Sequence, residues 1–208
     1  MKLYDKEYYE HGIESGKSCY NNYRWIPELT IPMCSRMIEN LQIGVDETIL
    51  DFGCAKGFSV HAFRLLGRHC WGYDISEYAI SLCPSEIKEY TSFDISYFDD
   101  YSFDWIIAKD VLEHVSYDDI DSILNWINSK SKNVFIVVPL GSDNKYNVPA
   151  YELDKTHIIK EDINWWRDKI EKCGFSDVSA SYLMAGLKEN WSHFKQGNGF
   201  FVGRSSND

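Results

Sequence analysis

The stretch Ile49-Leu50-Asp51-Phe52-Gly53-Cys54-Ala55-Lys56-Gly57-Phe58 sets small residues at alternate positions between two apolar runs. Small residues let the backbone approach a ligand closely, and the N–H groups that open a following helix carry partial positive charge. That is chemistry for cradling a nucleoside-like ligand. Dinucleotide sites place their last glycine five positions after the first. Gly53 and Gly57 are four apart, which argues against a nicotinamide dinucleotide. A second apolar run, Cys70-Trp71-Gly72-Tyr73-Asp74, closes on an acid 23 residues beyond Asp51. A carboxylate so placed can accept hydrogen bonds from both hydroxyls of a ribose. His114 and His157 each follow the carboxyl end of a strand-like segment. An imidazole with an ordinary pKa of about 6.5 accepts a proton at neutral pH, so both are candidate general bases.

The pattern Asp51-x-Gly53-x-Ala55-x-Gly57 resembles the first motif of the class I S-adenosylmethionine-dependent methyltransferases, where the middle residue is usually glycine. Ser92-Phe93-Asp94-Ile95-Ser96 and the long stretch from Asp104 to Val115, with its Asp110-Val111-Leu112-Glu113-His114-Val115 turn, are similar to that family in the same order. The likeness continues through Val134–Pro139, Asp154-Lys155-Thr156-His157 and Lys172-Cys173-Gly174-Phe175. The resemblance implies S-adenosyl-L-methionine as cofactor. It implies binding by Asp51, Gly53, Ala55 and Gly57 at the turn, by Asp74 and Ile75 at the ribose, and by Asp94 and Ile95 beside the adenine. Lys109 on the fourth strand and Tyr9 from a lid-like N-terminal extension complete the implied set. The expected reaction carries a methyl group to an oxygen or nitrogen of a small molecule, with His157 the first choice of base and His114 the second. Asp110-x-x-Glu113-His114 also resembles the Glu-x-x-Glu-His site of ubiquinone-pathway O-methyltransferases, which can bind a divalent ion. Here the stretch is read as a helix start, with no metal ligands expected. The alternatives are a regulatory module that binds the cofactor without turnover and, further off, an NAD-dependent oxidoreductase.

These residues need a scaffold, and the periodicity supplies one. Thr48–Asp51, Cys70–Asp74, Trp105–Lys109 and Asn133–Pro139 read as strands. Helices are predicted over Phe58–Leu66, from a Ser76 cap to Cys83, after a capping box at Ser116–Asp119, and over Glu161–Cys173. Strands alternating with helices predict an α/β, doubly wound, Rossmann-like sheet that is mostly parallel. Val178–Met184 and Gly199–Gly203 read as strands with no clear crossover helix, hence a hairpin at one sheet edge. The resemblance implies seven strands with one antiparallel strand near the C-terminus. A helix is predicted from Pro32 to Leu41, after a first 30 residues read as an irregular or partly helical extension. We expect one domain over 1–208, with 1–47 as extension or lid and 48–208 as core. Residues 140–159 show no clear element and are expected to help build the acceptor pocket.

Composition bounds the rest. The chain has 208 residues, 44% of them apolar, which suits one globular domain. Its formal net charge is −11, with no basic block, so nucleic acid and anionic membranes are poor partners. The six cysteines form no Cys-x-x-Cys pair, and no membrane span or signal-type leader is expected. A cytoplasmic setting follows as an expectation. No sequence feature fixes the oligomeric state.

Overall fold

A computed structural model describes residues 3–205, so residues 1–2 and 206–208 of the expected domain lie outside the described residues. Helices α1 (Lys6–Glu10), α2 (Gly12–Ser15) and α3 (Pro27–Leu41) come first. Then follow β1 (Thr48–Phe52), α4 (Phe58–Leu65), β2 (His69–Tyr73), α5 (Glu77–Ser81), β3 (Thr91–Ser92), β4 (Phe103–Lys109), α6 (Ile120–Lys130) and β5 (Ser131–Pro139). A short ribbon, β6 (Gly141–Ser142) with β7 (Lys145–Tyr146), precedes α7 (Ile163–Lys172), β8 (Phe175–Ser181) and β9 (Asn198–Ser205).

The main sheet has seven strands in the order β3-β2-β1-β4-β5-β9-β8. Strands β1 to β5 pair in parallel, and β9 runs antiparallel to both β5 and β8. The expected doubly wound sheet with one antiparallel strand is therefore present. The chain builds outward from β1 to β3 and then returns to the other flank of β1 with β4. Connections leave β1 and β4 in opposite directions there, which opens a crevice at their carboxyl ends.

Alternation along the central strands divides the core between two faces. Leu50, Ile106, Ile136 and Val138 face α6 and α7 with Leu124, Trp166 and Ile170. Ile49, Ile107, Phe135 and Val137 face α3 and α4 with Cys34, Met37 and Phe63. Strands covered on both faces are apolar throughout, which is why they read clearly in the sequence.

Several boundaries differ from expectation. Helix α3 starts at Pro27, where a missing N–H costs nothing, and passes through Pro32. Its Cys34, Met37 and Leu41 lie in the sheet core, so this part of the 1–47 stretch is a core layer. Within the first 30 residues the partly helical alternative holds, with α1 and α2 formed and Asp5 capping α1 by accepting from the Tyr8 N–H at 3.0 Å. Helix α5 stops at Ser81, two residues short of the predicted end. Strand β8 begins at Phe175, before the predicted Val178, and a register shift between Ser176 and Ser179 spans Asp177 at φ +52°. Residues 140–159 hold the β6–β7 ribbon and a 3₁₀ turn at Pro149–Leu153. Among the described residues, no helix is long and apolar enough to cross a membrane.

Candidate active site

The turn after β1 uses backbone conformations that favour glycine. Gly53, Ala55 and Gly57 have φ of +83°, +50° and +69°. A Cβ on Gly53 would come within 2.2 Å of the Val111 side chain, so the turn and the residue after β4 are closely fitted. The Gly53 and Cys54 N–H groups donate to the Tyr73 carbonyl at 2.7 and 2.9 Å, locking the turn to the end of β2. Asp74 continues this lock. Its Oδ2 accepts from the Ala55 N–H at 2.7 Å and its Oδ1 from the Ser76 N–H at 2.8 Å. Burial pushes its pKa up, while the two backbone donors work against that shift. Each carboxylate oxygen keeps a further lone pair for another donor.

A cavity of about 830 Å³ opens over this turn at the carboxyl ends of β1, β2 and β4. Of the residues expected at the cofactor, Tyr9, Gly53, Ala55, Asp74 and Ile75 line it, and His114 lines its far side. Asp51, Gly57, Asp94, Ile95 and Lys109 lie off its wall. Gly57 serves close packing, since a Cβ there would sit 2.6 Å from Ile87. Asp94 is exposed and caps its own turn, accepting from the Ser96 N–H at 3.0 Å and Oγ at 2.8 Å. Ile95 packs against the core around Phe98. Lys109 pairs with Asp110 at 2.5 Å. Asp51 is buried, and burial lifts its pKa to about 7 against the opposing charge of Lys109. Tyr73 and Val111 also line the cavity; as apolar strand-end positions they carry no distinguishing signal in the sequence.

A second cavity of about 160 Å³ adjoins the first. The two share Tyr8, Tyr20, Asp110 and His114 in their walls. His114 comes from the 3₁₀ turn after β4, and His157 from the segment between β5 and α7. The structure brings their rings to 4.6 Å between centroids. His157 Nδ1 is 2.9 Å from the Tyr151 carbonyl, and His114 Nδ1 is 2.7 Å from Thr156 Oγ1. Asp154 anchors this side, accepting from Thr156 Oγ1 at 2.6 Å and from the Tyr8 hydroxyl at 3.0 Å. Burial lowers the pKa of both imidazoles, that of His114 to about 4 with its neighbour His157 adding to the effect. Both rings are neutral at neutral pH. Burial, reinforced by Asp110, raises Glu113 to about 8. For Asp110 burial acts upward too, but Lys109 and Lys188 outweigh it and hold the carboxyl well below the usual range. Asp110 takes a φ of +58°, a strained conformation for a residue with a side chain. Lys188, 78 positions after Asp110 in a segment with little pattern, is a wall residue that spacing does not reveal.

The N-terminal segment covers both cavities. Lys56 in the turn donates to Glu10 Oε1 at 2.5 Å and to the Tyr23 carbonyl at 2.6 Å. Ser76 Oγ donates to the Tyr4 carbonyl at 2.6 Å, and the Lys155 N–H to the Lys17 carbonyl at 3.0 Å. Tyr8, Tyr9, Tyr20, Tyr23 and Tyr78 pack together over Ala55 and Ala79.

The sequence model of a family described as a methyltransferase domain matches residues 30–190. No curated protein sequence matches the chain. Solved structures of similar fold include an S-adenosylmethionine-dependent methyltransferase from Archaeoglobus fulgidus, 16% identical at a TM-score of 0.65, covering 83% of this chain and 92% of that one. Another is phosphoethanolamine N-methyltransferase 2 of Haemonchus contortus with bound S-adenosyl-L-methionine, 13% identical at a TM-score of 0.66. That match covers 96% of this chain but 58% of the larger protein. A TehB-like S-adenosylmethionine-dependent methyltransferase from Corynebacterium glutamicum is 13% identical at a TM-score of 0.59, covering 84% of this chain and 87% of that one.

Proposed function

The chain belongs to the family of methyltransferase domains, and on that premise we propose that it carries the methyl group of S-adenosylmethionine to an oxygen or nitrogen atom of a small acceptor. The observation that carries this reading is the pair of adjoining cavities. The larger has a small-residue turn and an acid suited to a ribose at one end, and the smaller begins at His114. Bound S-adenosylmethionine would supply an electrophilic sulfonium methyl for in-line displacement by an acceptor lone pair, with sulfur as the leaving group. The chain's own contribution is orientation, which supplies up to about 7–11 kcal/mol of a barrier.

Asp74 takes the ribose hydroxyls with the lone pairs that Ala55 and Ser76 leave free. Gly53 and Ala55 allow close approach of the turn. Tyr8 and Tyr9 offer ring faces suited to a positive sulfonium. On the acceptor side His114 and His157 present lone pairs and no charge, and such groups take up the acceptor's proton or a cation. Residues 3–23 act as the lid over both partners, within a single domain. A small-molecule acceptor suits the smaller cavity, about 160 Å³. The net charge of −11 speaks against nucleic acid. All six cysteines are free thiols, which fits the reducing cytoplasm.

The test is thermal unfolding with S-adenosylhomocysteine, S-adenosylmethionine and NADH in parallel. Ligand at 100 times its dissociation constant should stabilise the fold by about 2.7 kcal/mol. The two sulfur ligands should shift the melting temperature, NADH should not, and Asp74→Ala should lose most of the shift. No shift at millimolar ligand removes the assignment.

A further inference from the structure

The smaller cavity is rich in groups that accept hydrogen bonds and poor in groups free to give them. Its wall carries the carboxyl groups of Asp110, Glu113 and Asp154 and the ammonium of Lys188. An ammonium has three protons to give. Those of Lys188 go to Asp110 Oδ1, to the Tyr151 hydroxyl at 3.0 Å and to Asn198 Oδ1 at 2.9 Å. Two wall hydroxyls are committed as well. Tyr8 donates to Asp154 Oδ2 at 3.0 Å, and Tyr151 to Asn198 Oδ1 at 2.7 Å. Among the described residues, the cavity thus offers no free cation to an incoming carboxylate or phosphate.

Glu113 is 1% exposed, and its Oε2 has no hydrogen-bond partner. A buried carboxyl oxygen with no donor is costly, so the cavity favours a guest that brings one. The imidazoles present lone pairs beside it. The Tyr151 carbonyl only accepts, so His157 Nδ1, at 2.9 Å, carries the proton and Nε2 keeps the lone pair. Thr156 Oγ1 donates its one proton to Asp154 and therefore accepts from His114 Nδ1–H, which leaves the His114 lone pair on Nε2 too. His157 Nε2 lies 3.9 Å from Glu113 Oε1 and 4.0 Å from Asp154 Oδ2. Hydrogen bonds of about 2.8 Å to one tetrahedral nitrogen hold its acceptors about 4.6 Å apart, close to that spacing. The faces of Tyr8, Tyr20, Tyr151 and Trp191 complete the wall, and aromatic faces attract a positive charge.

We propose that the smaller cavity is a subsite for an organic ammonium group with no anionic group beside it, and that Glu113 is its counter-charge. Three N–H donors meet a wall of acceptors, the positive charge meets a carboxylate and ring faces, and the short alkyl part meets the rings. A neutral alcohol brings one donor and no charge, and an anion finds no partner. That this nitrogen is the methyl acceptor rests on the methyl-transfer reading; the preference of the cavity for a cation does not. On that reading the substrate is a small amine that enters protonated. It gives one proton to a histidine Nε2 before its lone pair takes the methyl group, and its nitrogen is positively charged again afterwards.

The experiment titrates the full chain, with millimolar S-adenosylhomocysteine present, with three probes of similar size: butylamine, 1-butanol and butyrate. Ligand-detected NMR at pH 7 gives the affinities. Butylamine, protonated at this pH, should bind at least about 10-fold more tightly than 1-butanol and than butyrate. Glu113→Gln keeps the shape of the side chain and removes its charge. It should weaken butylamine by about 10-fold or more and leave 1-butanol nearly unchanged, with the fold checked by circular dichroism. A general loss of packing would weaken both probes together. A wild-type chain that binds butylamine no better than 1-butanol overturns the proposal, whether or not the variant folds, and so does an undiminished preference in the folded variant. The S-adenosylhomocysteine thermal shift is read on the same samples. A shift without a preference for butylamine overturns the ammonium subsite and leaves methyl transfer standing. A preference lost in Glu113→Gln, without a shift, supports the subsite and removes the other reading.

Discussion

Burial of Asp51 has a directly measurable effect on stability. Its ordinary pKa of 3.8 rises to about 7 in the folded chain. The native state thus holds this proton more tightly than the unfolded state does. That contribution to stability is full below about pH 4 and is lost as pH rises through 7, a swing of about 4 kcal/mol at 1.36 kcal/mol per unit. Denaturant melts of the wild type and Asp51→Asn at pH 5, 6, 7 and 8 should show the gap between them shifting against the wild type as pH rises. A gap that stays constant would mean that Asp51 does not titrate in this range. Residue roles divide sharply in how well they read from sequence. Asp74 is legible because it closes an apolar run at a fixed distance from a glycine turn. Asp94 is legible only as an acid after a strand, and a capping acid looks the same. His114 and His157 are each identifiable as imidazoles past strand ends. Their contact, and the Thr156–Asp154 relay that orients one of them, are not identifiable, because residues 140–159, which carry His157, have no periodicity that would set a distance.

At the scale of elements, the β1 turn and the segment after β4 behave as one fitted joint. Gly53 has no side chain where the Val111 methyls sit, and it holds a φ that disfavours any other residue. Gly53→Ala should destabilise the fold by about 1–3 kcal/mol and weaken S-adenosylhomocysteine binding. Removing the Val111 methyls should recover the steric part, so Gly53→Ala with Val111→Ala should be less unstable than the two single effects added together. Strict additivity in urea melts would show that the two segments are independent. The central strands could be read from sequence because burial on both faces makes them continuously apolar. Strand β8 could not be placed as well, because Ser176, Asp177, Ser179, Ala180 and Ser181 are all exposed, which hides any alternation, and a register shift interrupts its pairing. Helices α1 and α2 are too short to show a helical period, and the tyrosines of α1 pack through contacts with Tyr78 and Asp154 that lie far along the chain.

For the whole molecule, the N-terminal segment ties the two cavities together. It bonds to Lys56 and Ser76 on the cofactor side and to Asp154 and Lys155 on the acceptor side. Bound S-adenosylhomocysteine should therefore slow amide hydrogen exchange across residues 6–23 more than across α6, and Lys56→Met should reduce that protection. Equal slowing everywhere would mean that the segment does not respond to the cofactor. The order of strands has a consequence for the chain as it is made. Strand β9 lies between β5 and β8, yet it is the last of the three to be synthesised. Until it arrives, the β5 edge is bare and β8 has no neighbour to pair with, so the nascent chain carries a sheet with an open slot from the completion of β8 until β9 emerges. An open edge is a template for pairing with another chain. Late insertion of one strand into that slot thus makes the interval between the synthesis of β8 and of β9 the one in which a nascent copy is most exposed to aggregation and to capture by chaperones.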